Sequence, residues 1–270
     1  MRDITRWAII DAAAEPDTLT MLEQLDPPHV SLYAAPVSEE IGRLAPHLVE
    51  FNAEVDTWLR ERETPWGLML ESRVEMRALR KHLRKYLHAL IPGEEKPVFF
   101  RFYDPRNIWD LLSILSPWER HSFLGPIEAI ATYWQGELRQ ENFSALREQF
   151  HSGSTSRRKV MKISQSQMDA LALIFERRYV ETLIAKMAAC HTGGITASIP
   201  DAEEIFRWLK SQGIKDDRSV RGLFFLFHQR GYLTLASIPA AFKAVLSAQG
   251  EPGVFKAESL LIQALGSVPL

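Results

Sequence analysis

Charged side chains interrupt the otherwise apolar stretch Val98-Phe99-Phe100-Arg101-Phe102-Tyr103-Asp104-Pro105-Arg106. Val98, Phe99, Phe100, Phe102 and Tyr103 favour strands, and a near-continuous apolar run predicts a strand covered on both faces. A cation at Arg101 within such a strand needs an anionic or carbonyl partner. Arg101 and Arg106 could therefore clamp an anionic ligand at a sheet edge, where open α/β proteins place ligands. The plainer reading is structural: Arg101 fixes nearby carbonyls or carboxylates. Asp104 caps a helix whose first position is Pro105, where the missing N–H costs nothing. Arg106, further out, is expected to be exposed and to touch a partner.

A second cationic group stands at Arg73, Arg77, Arg80, Lys81, Arg84 and Lys85, with His82 and His88 nearby and only Glu75 to balance them. It could bind an acidic protein or a nucleic acid. It could equally be a solvated face whose long stems cover a sheet. No Gly/aromatic interleaving accompanies it.

Other catalytic arrangements find little support. The eight histidines, at 29, 47, 82, 88, 121, 151, 191 and 228, form no His-Glu-x-x-His and no Cys/His cluster, so no metal is expected. His82 reads as a structural histidine. Cys190-His191 reads as a thiol ending a helix before Gly193-Gly194, not as a nucleophile and base. There is no phosphate-cradling glycine loop and no G-x-S-x-G elbow. Trp66-Gly67 and Gly125-Pro126 read as backbone devices that permit close approach or a turn. Asp11, Asp56, Glu71 and Asp104 show no pairing for acid–base work. No catalytic residue, cofactor or small-molecule substrate is expected.

The elements that must position these residues follow from pattern. With 270 residues, 46% of them hydrophobic, the chain can bury one large core or two modest ones. A net charge of −2 advertises neither nucleic acid nor an anionic membrane. One cysteine excludes an internal disulfide framework. No apolar run approaches about 18 residues, and Asp3, Asp11, Glu15 and Asp17 interrupt the first twenty residues where a signal peptide would be apolar. The expectation is a cytoplasmic protein with no membrane span.

Residues 1–150 predict an α/β or α+β lobe, a small mixed sheet flanked by helices, with strands at Trp7–Ile10, Val30–Tyr33, Leu48–Phe51, Gly67–Leu70 and Val98–Phe102. A helix is predicted from about Arg73 to Leu90, with Ser72 and Glu75 at capping-box spacing and Met76, Leu79, Leu83, Leu87 and Leu90 in one stripe. The Ser/Gly-rich and then basic stretch 151–162 reads as a linker. Residues 163–270 read as an all-α lobe. Ser164 and Gln167 form a second capping box, and Met168, Leu171, Phe175, Tyr179, Leu183 and Met187 share one face. Further helices are predicted at Ala202–Gln212, Arg218–Arg230, Ser237–Ala248 and Phe255–Leu265. Leu223 to Phe227 are apolar all round. That helix is either central in its lobe or presents Phe224 and Phe225 to a partner.

Taken in order, these residues resemble a known family. Residues 100–106 look like the signature of the adaptor or effector-chaperone (Tap/TEC) proteins of bacterial type VI secretion systems. Trp7–Ala12 resembles its opening strand. Leu32-Tyr33, Pro46–Val49, Trp66–Ser72, His82-Leu83-Arg84 and Phe123–Pro126 resemble its later landmarks. Arg101, Tyr103, Asp104, Pro105, Trp66, Gly67, His82, Gly125 and Pro126 then belong to the structural signature. The resemblance implies a non-catalytic protein that holds an effector toxin and helps load it onto a spike or spike-tip protein of the VgrG/PAAR type. Arg106, Arg77, Arg80, Arg84, Phe224 and Phe225 are the candidate partner-binding residues. The alternatives are an α/β enzyme acting on an anionic substrate and a nucleic-acid-binding module using helix 73–88. For the leading reading, the partners are proteins, with no nucleic acid.

Overall fold

The computed structural model describes every residue except 1–2, 35, 152–159, 191–196 and 268–270. The chain divides into two compact units, Met1–Leu171 and Ala172–Leu270.

The first unit runs β1 (Thr5–Asp11), α1 (Thr18–Leu25), β2 (His29–Ser31), α2 (Glu39–Arg43), β3 (Pro46–Glu50), α3 (Ala53–Arg60), β4 (Gly67–Ser72) and α4 (Met76–Leu83), which a 3-10 turn continues over Arg84–Tyr86. There follow β5 (His88–Leu90), β6 (Val98–Phe99), α5 (Ile108–Ile114), α6 (Pro117–Leu124), β7 (Ile127–Trp134), β8 (Glu137–Asn142), α7 (Ser144–Glu148), β9 (Met161–Lys162) and the start of α8 (Gln165–Cys190). Six strands form a sheet in the order β2-β3-β1-β4-β7-β8, with every neighbouring pair antiparallel. A second sheet, β6-β5-β9, is mixed: β5 pairs antiparallel with β6 and parallel with β9.

β1 shows why this sheet needs helices on both faces. Trp7 to Asp11 are all buried, and alternate residues serve different cores. Trp7 and Ile9 join Leu48, Leu68 and Leu70 against Leu79 and Leu83 of α4, Leu111 and Leu112 of α5, and Phe123 of α6. Ala8 and Ile10 join Val49 and Trp66 against Met21 and Leu22 of α1 and Val55 and Leu59 of α3. The architecture is mixed α+β.

Two local expectations are corrected. The helix predicted over 73–90 is α4 alone. Ser72 ends β4, and its hydroxyl donates to the Pro126 carbonyl (2.8 Å) instead of opening a capping box. The stripe continues through buried Leu87, but the 3-10 turn redirects the chain into β5, where sheet pairing overrides helical period. The run 98–102 is not a central strand: only Val98 and Phe99 pair, at an edge, and Phe99 is exposed. Its other half turns inward. Phe102 packs edge-on against Phe123 and Tyr103, with ring centroids 5.7 and 5.3 Å away. Residues 152–159 of the expected linker lie outside the described residues, and Met161-Lys162 form β9.

The second unit comprises the rest of α8, α9 (Ile199–Ser211), α10 (Asp217–Gln229), α11 (Ala240–Leu246) and α12 (Gly253–Leu265), and contains no strand among its described residues. The Ser164/Gln167 capping box forms as predicted, with Gln167 N–H donating to Ser164 Oγ (3.3 Å) and Ser164 N–H to Gln167 Oε1 (2.9 Å). α10 is the central helix: Val220, Leu223, Phe224, Leu226 and Phe227 are all buried, packed with Val180, Leu183, Ile205, Leu209 and Leu260. This corrects Phe224 as a partner-binding residue, because its ring already fills the core. Phe225 is half-buried.

Candidate partner-binding site

The signature residues form joints. Asp11, at the end of β1, is buried and pairs with Arg101, whose side chain stays 39% exposed. Asp11 Oδ1 also accepts the Ala13 amide (3.1 Å), and the Asp11 amide donates to the Trp66 carbonyl (2.7 Å). Burial raises the Asp11 pKa above the ordinary carboxylate value, against the opposing pull of Arg101. Tyr103 lies buried in the same field. Burial first, and then the charge of Asp11, push its phenol pKa upward.

Asp104 is also buried, but it does not cap a helix starting at Pro105. α5 begins at Ile108 with Asn107 at its N-cap. The Asp104 carboxylate is committed to Arg106, accepting the backbone amide (3.0 Å), Nε (2.9 Å) and Nη2 (2.7 Å). Pro105 lies in the turn between them, whose closing bonds run from the Asn107 and Ile108 amides to the Asp104 carbonyl. Arg106 is exposed as expected, at 47%, yet its guanidinium is held by a buried carboxylate.

His82, Gly125 and Pro126 meet in space. His82 Nε2–H donates to the Phe123 carbonyl (2.7 Å), fixing the tautomer. Gly125 has φ +50°, and a Cβ there would stand 2.1 Å from His82 Cε1, so the imidazole occupies the space that any other residue would need. Tyr86 adds a bond from its hydroxyl to the Ser122 carbonyl (2.6 Å). α4 and α6 are thereby fastened. Gly67 does the same for β1 and β4: a Cβ there would lie 1.8 Å from the Ile9 carbonyl oxygen. Trp66 beside it is buried.

The basic residues make a different kind of surface. Arg77, Lys81, Arg84 and Lys85 are exposed and rim an open concavity of about 400 Å³, with no ion pair among the described residues. Arg80 lies deeper in its wall, donating to the Ser31 (2.7 Å) and Tyr33 (2.8 Å) carbonyls. Burial and the neighbouring Arg84 both lower its pKa. Arg77 and Arg84 are therefore free to meet an anion, whereas Arg80 is engaged in joining α4 to the strand edge.

Next to this face is a cleft of about 270 Å³ that sequence reasoning missed. Its lining is mixed: Tyr86, Leu115, Trp118, Phe123 and Met161 are joined by the charged Lys85, Glu119 and Lys162. Trp118 is 41% exposed in the first turn of α6, whose Ser116-Pro117-Trp118-Glu119 start is a full capping box. That motif was a readable signal, since it places a tryptophan on a helix's outer first turn. Among the described residues, no group of three His, Cys, Asp or Glu side chains is placed to hold a metal ion. No helix among them is long and apolar enough to cross a membrane.

The first unit is thus an α+β scaffold whose signature residues are joints and whose surface carries a cationic face beside a cleft. Residues 6–122 match the family model described as "Domain of unknown function (DUF4123)", the family of type VI secretion effector chaperones or adaptors of the Tec/Tap kind. That match spans 117 of the 270 residues and lies within the first unit. Neither the curated proteins nor the solved structures yielded a match.

Proposed function

We propose that this protein is a non-catalytic adaptor that binds a type VI secretion effector and helps load it onto a VgrG/PAAR-type spike or spike-tip protein. The observation that carries the reading is the family match over residues 6–122. The geometry agrees with it, because an adaptor needs exposed, chemically distinctive surface and an affinity low enough for handover. The enzyme alternative relied on Arg101, Arg106 and the basic helix as anion clamps, and two of these, Arg101 and Arg106, are engaged by carboxylates of the chain itself.

The test is co-expression with the toxins encoded beside this gene, followed by size-exclusion chromatography. Co-elution with one of them, and of that complex with a spike protein, is the expected result. Separate elution from every neighbouring toxin refutes the adaptor role.

A further inference from the structure

Four cations stand together on one element, α4 and its 3-10 extension, without a carboxylate partner among the described residues. In the first unit Arg43, Arg60, Arg62, Arg73, Arg101 and Arg106 each have an acidic partner within 4.0 Å. Arg77, Lys81, Arg84 and Lys85 have none among the described residues. Successive gaps of four, three and one residue carry them along α4 and its 3-10 extension, over a rise of about 12 Å at ~1.5 Å per residue. Like charges at this spacing destabilise a helix slightly. An anionic ligand along the same face reverses the sign of that term.

The cleft adjoins this face, since Lys85 lines both. Its volume of about 270 Å³ is at or below the ~300–1,000 Å³ of pockets that enclose drug-sized ligands, and suits a large side chain or two better than a cofactor. An exposed tryptophan at the mouth of such a cleft is the kind of residue on which interfaces concentrate their energy.

We propose that the α4 basic face and this cleft form one docking surface for an acidic, amphipathic helical segment of a partner protein. Its carboxylates, on successive turns, meet Arg77, Lys81, Arg84 and Lys85, and an aromatic or large aliphatic side chain enters the cleft beside Trp118. A nucleic acid fits less well. One face of Trp118 is already stacked on His121 (centroids 5.8 Å, 28° between planes), which leaves less ring surface for a base to stack on. The net charge of −2 also supplies no long-range attraction for a polyanion.

The experiment is fluorescence anisotropy on the full chain, using a fluorescein-labelled helical peptide with Glu on three successive turns and one Trp. The comparators are the same peptide with Lys for Glu, the same peptide with Ala for Trp, and an oligothymidylate of equal charge. The Glu/Trp peptide is expected to bind best and to weaken as salt rises. Lys81→Glu with Arg84→Glu, and separately Trp118→Ala, should each weaken it about tenfold, the charge reversals at unchanged melting temperature because both side chains are exposed. No binding at low salt, wild-type affinity in those variants, or tighter binding of the oligothymidylate overturns the proposal.

The surface takes its biological partner from the adaptor reading, yet the peptide assay needs no effector. Failure of every toxin to co-elute would overturn that reading and leave the peptide result standing. A variant combining Lys81→Glu, Arg84→Glu and Trp118→Ala that co-elutes with the effector as well as wild type would overturn this surface and leave the adaptor reading standing.

Discussion

Arg101→Ala is the most informative single perturbation, because it separates a structural signature from a recognition site. The guanidinium it removes is the charged partner of Asp11, a carboxylate that is 2% exposed. Breaking a fully buried ion pair by removing one partner costs about 3–5 kcal/mol. Arg101 is 39% exposed, so water already screens the pair and can partly replace the cation. That discount brings the expected loss to about 2 kcal/mol, or about 4–8 °C for a unit of this size.

The loss should also depend on pH. Burial already holds the folded pKa of Asp11 above its ordinary 3.8, so this group favours folding in acid and loses that contribution as pH rises through the folded value. Without Arg101 the folded pKa rises further. The variant's deficit is then smallest near pH 4 and largest near pH 7. Urea denaturation of wild type, Arg101→Ala, Asp11→Asn and the double variant, at both pH values, measures it. Asp11→Asn in the Arg101→Ala background should recover most of the loss by removing the stranded charge. An equal deficit at both pH values, or no recovery, refutes the pairing argument. A wild-type melt with lost effector binding makes Arg101 a recognition residue instead.

Gly125→Ala should destabilise the first unit by about 2 kcal/mol or more, since the new Cβ meets His82 while adopting a left-handed backbone, and thermal denaturation reads this directly. Burial, as the leading cause, lowers the pKa values of His82 and His47 from 6.5 to about 4. Each then contributes up to about 3 kcal/mol that is present above pH 6.5 and lost as pH falls through 4, so chemical denaturation should show stability declining across that window, and less steeply in His47→Gln. Phe224→Ala should cost about 3–5 kcal/mol by leaving a cavity in the second unit while peptide binding at the α4 face is unchanged.

Much of the helical second unit was legible because its periodicity is uninterrupted and its ends carry local caps. Asp216 accepts the Ser219 amide (2.8 Å) and Ser198 the Asp201 amide (3.3 Å), so α10 and α9 begin within a turn of their expected starts. The strands of the antiparallel sheet that came through were apolar, although β7, largely apolar as well, was not among those expected. β8 did not come through, since Glu137–Asn142 is polar and mostly exposed, held only by pairing with β7 across the tight Gln135-Gly136 turn. β5 and β9 are three and two residues long and exist only through distant pairing, so no local pattern announces them. The run 98–103 misled for a similar reason. Burial of Phe102 and Tyr103 in a turn produces the same apolar string as burial in a strand.

The site divides along the same line. Gly67, His82, Gly125, Arg101 and Asp104 were recognisable because each geometry admits almost one residue type: a missing Cβ, a ring filling the vacated space, a buried carboxylate needing a cation. A motif records such joints. The α4 face demands only positive charge at intervals, and the cleft only a mixed set of side chains brought together from α4's extension, the α5–α6 junction, α6 and β9. A surface of that kind leaves no fixed string in the sequence. The residues by which the family is recognised therefore hold the scaffold, and the residues proposed to meet a partner come into view only once the scaffold has placed Lys85 beside Trp118.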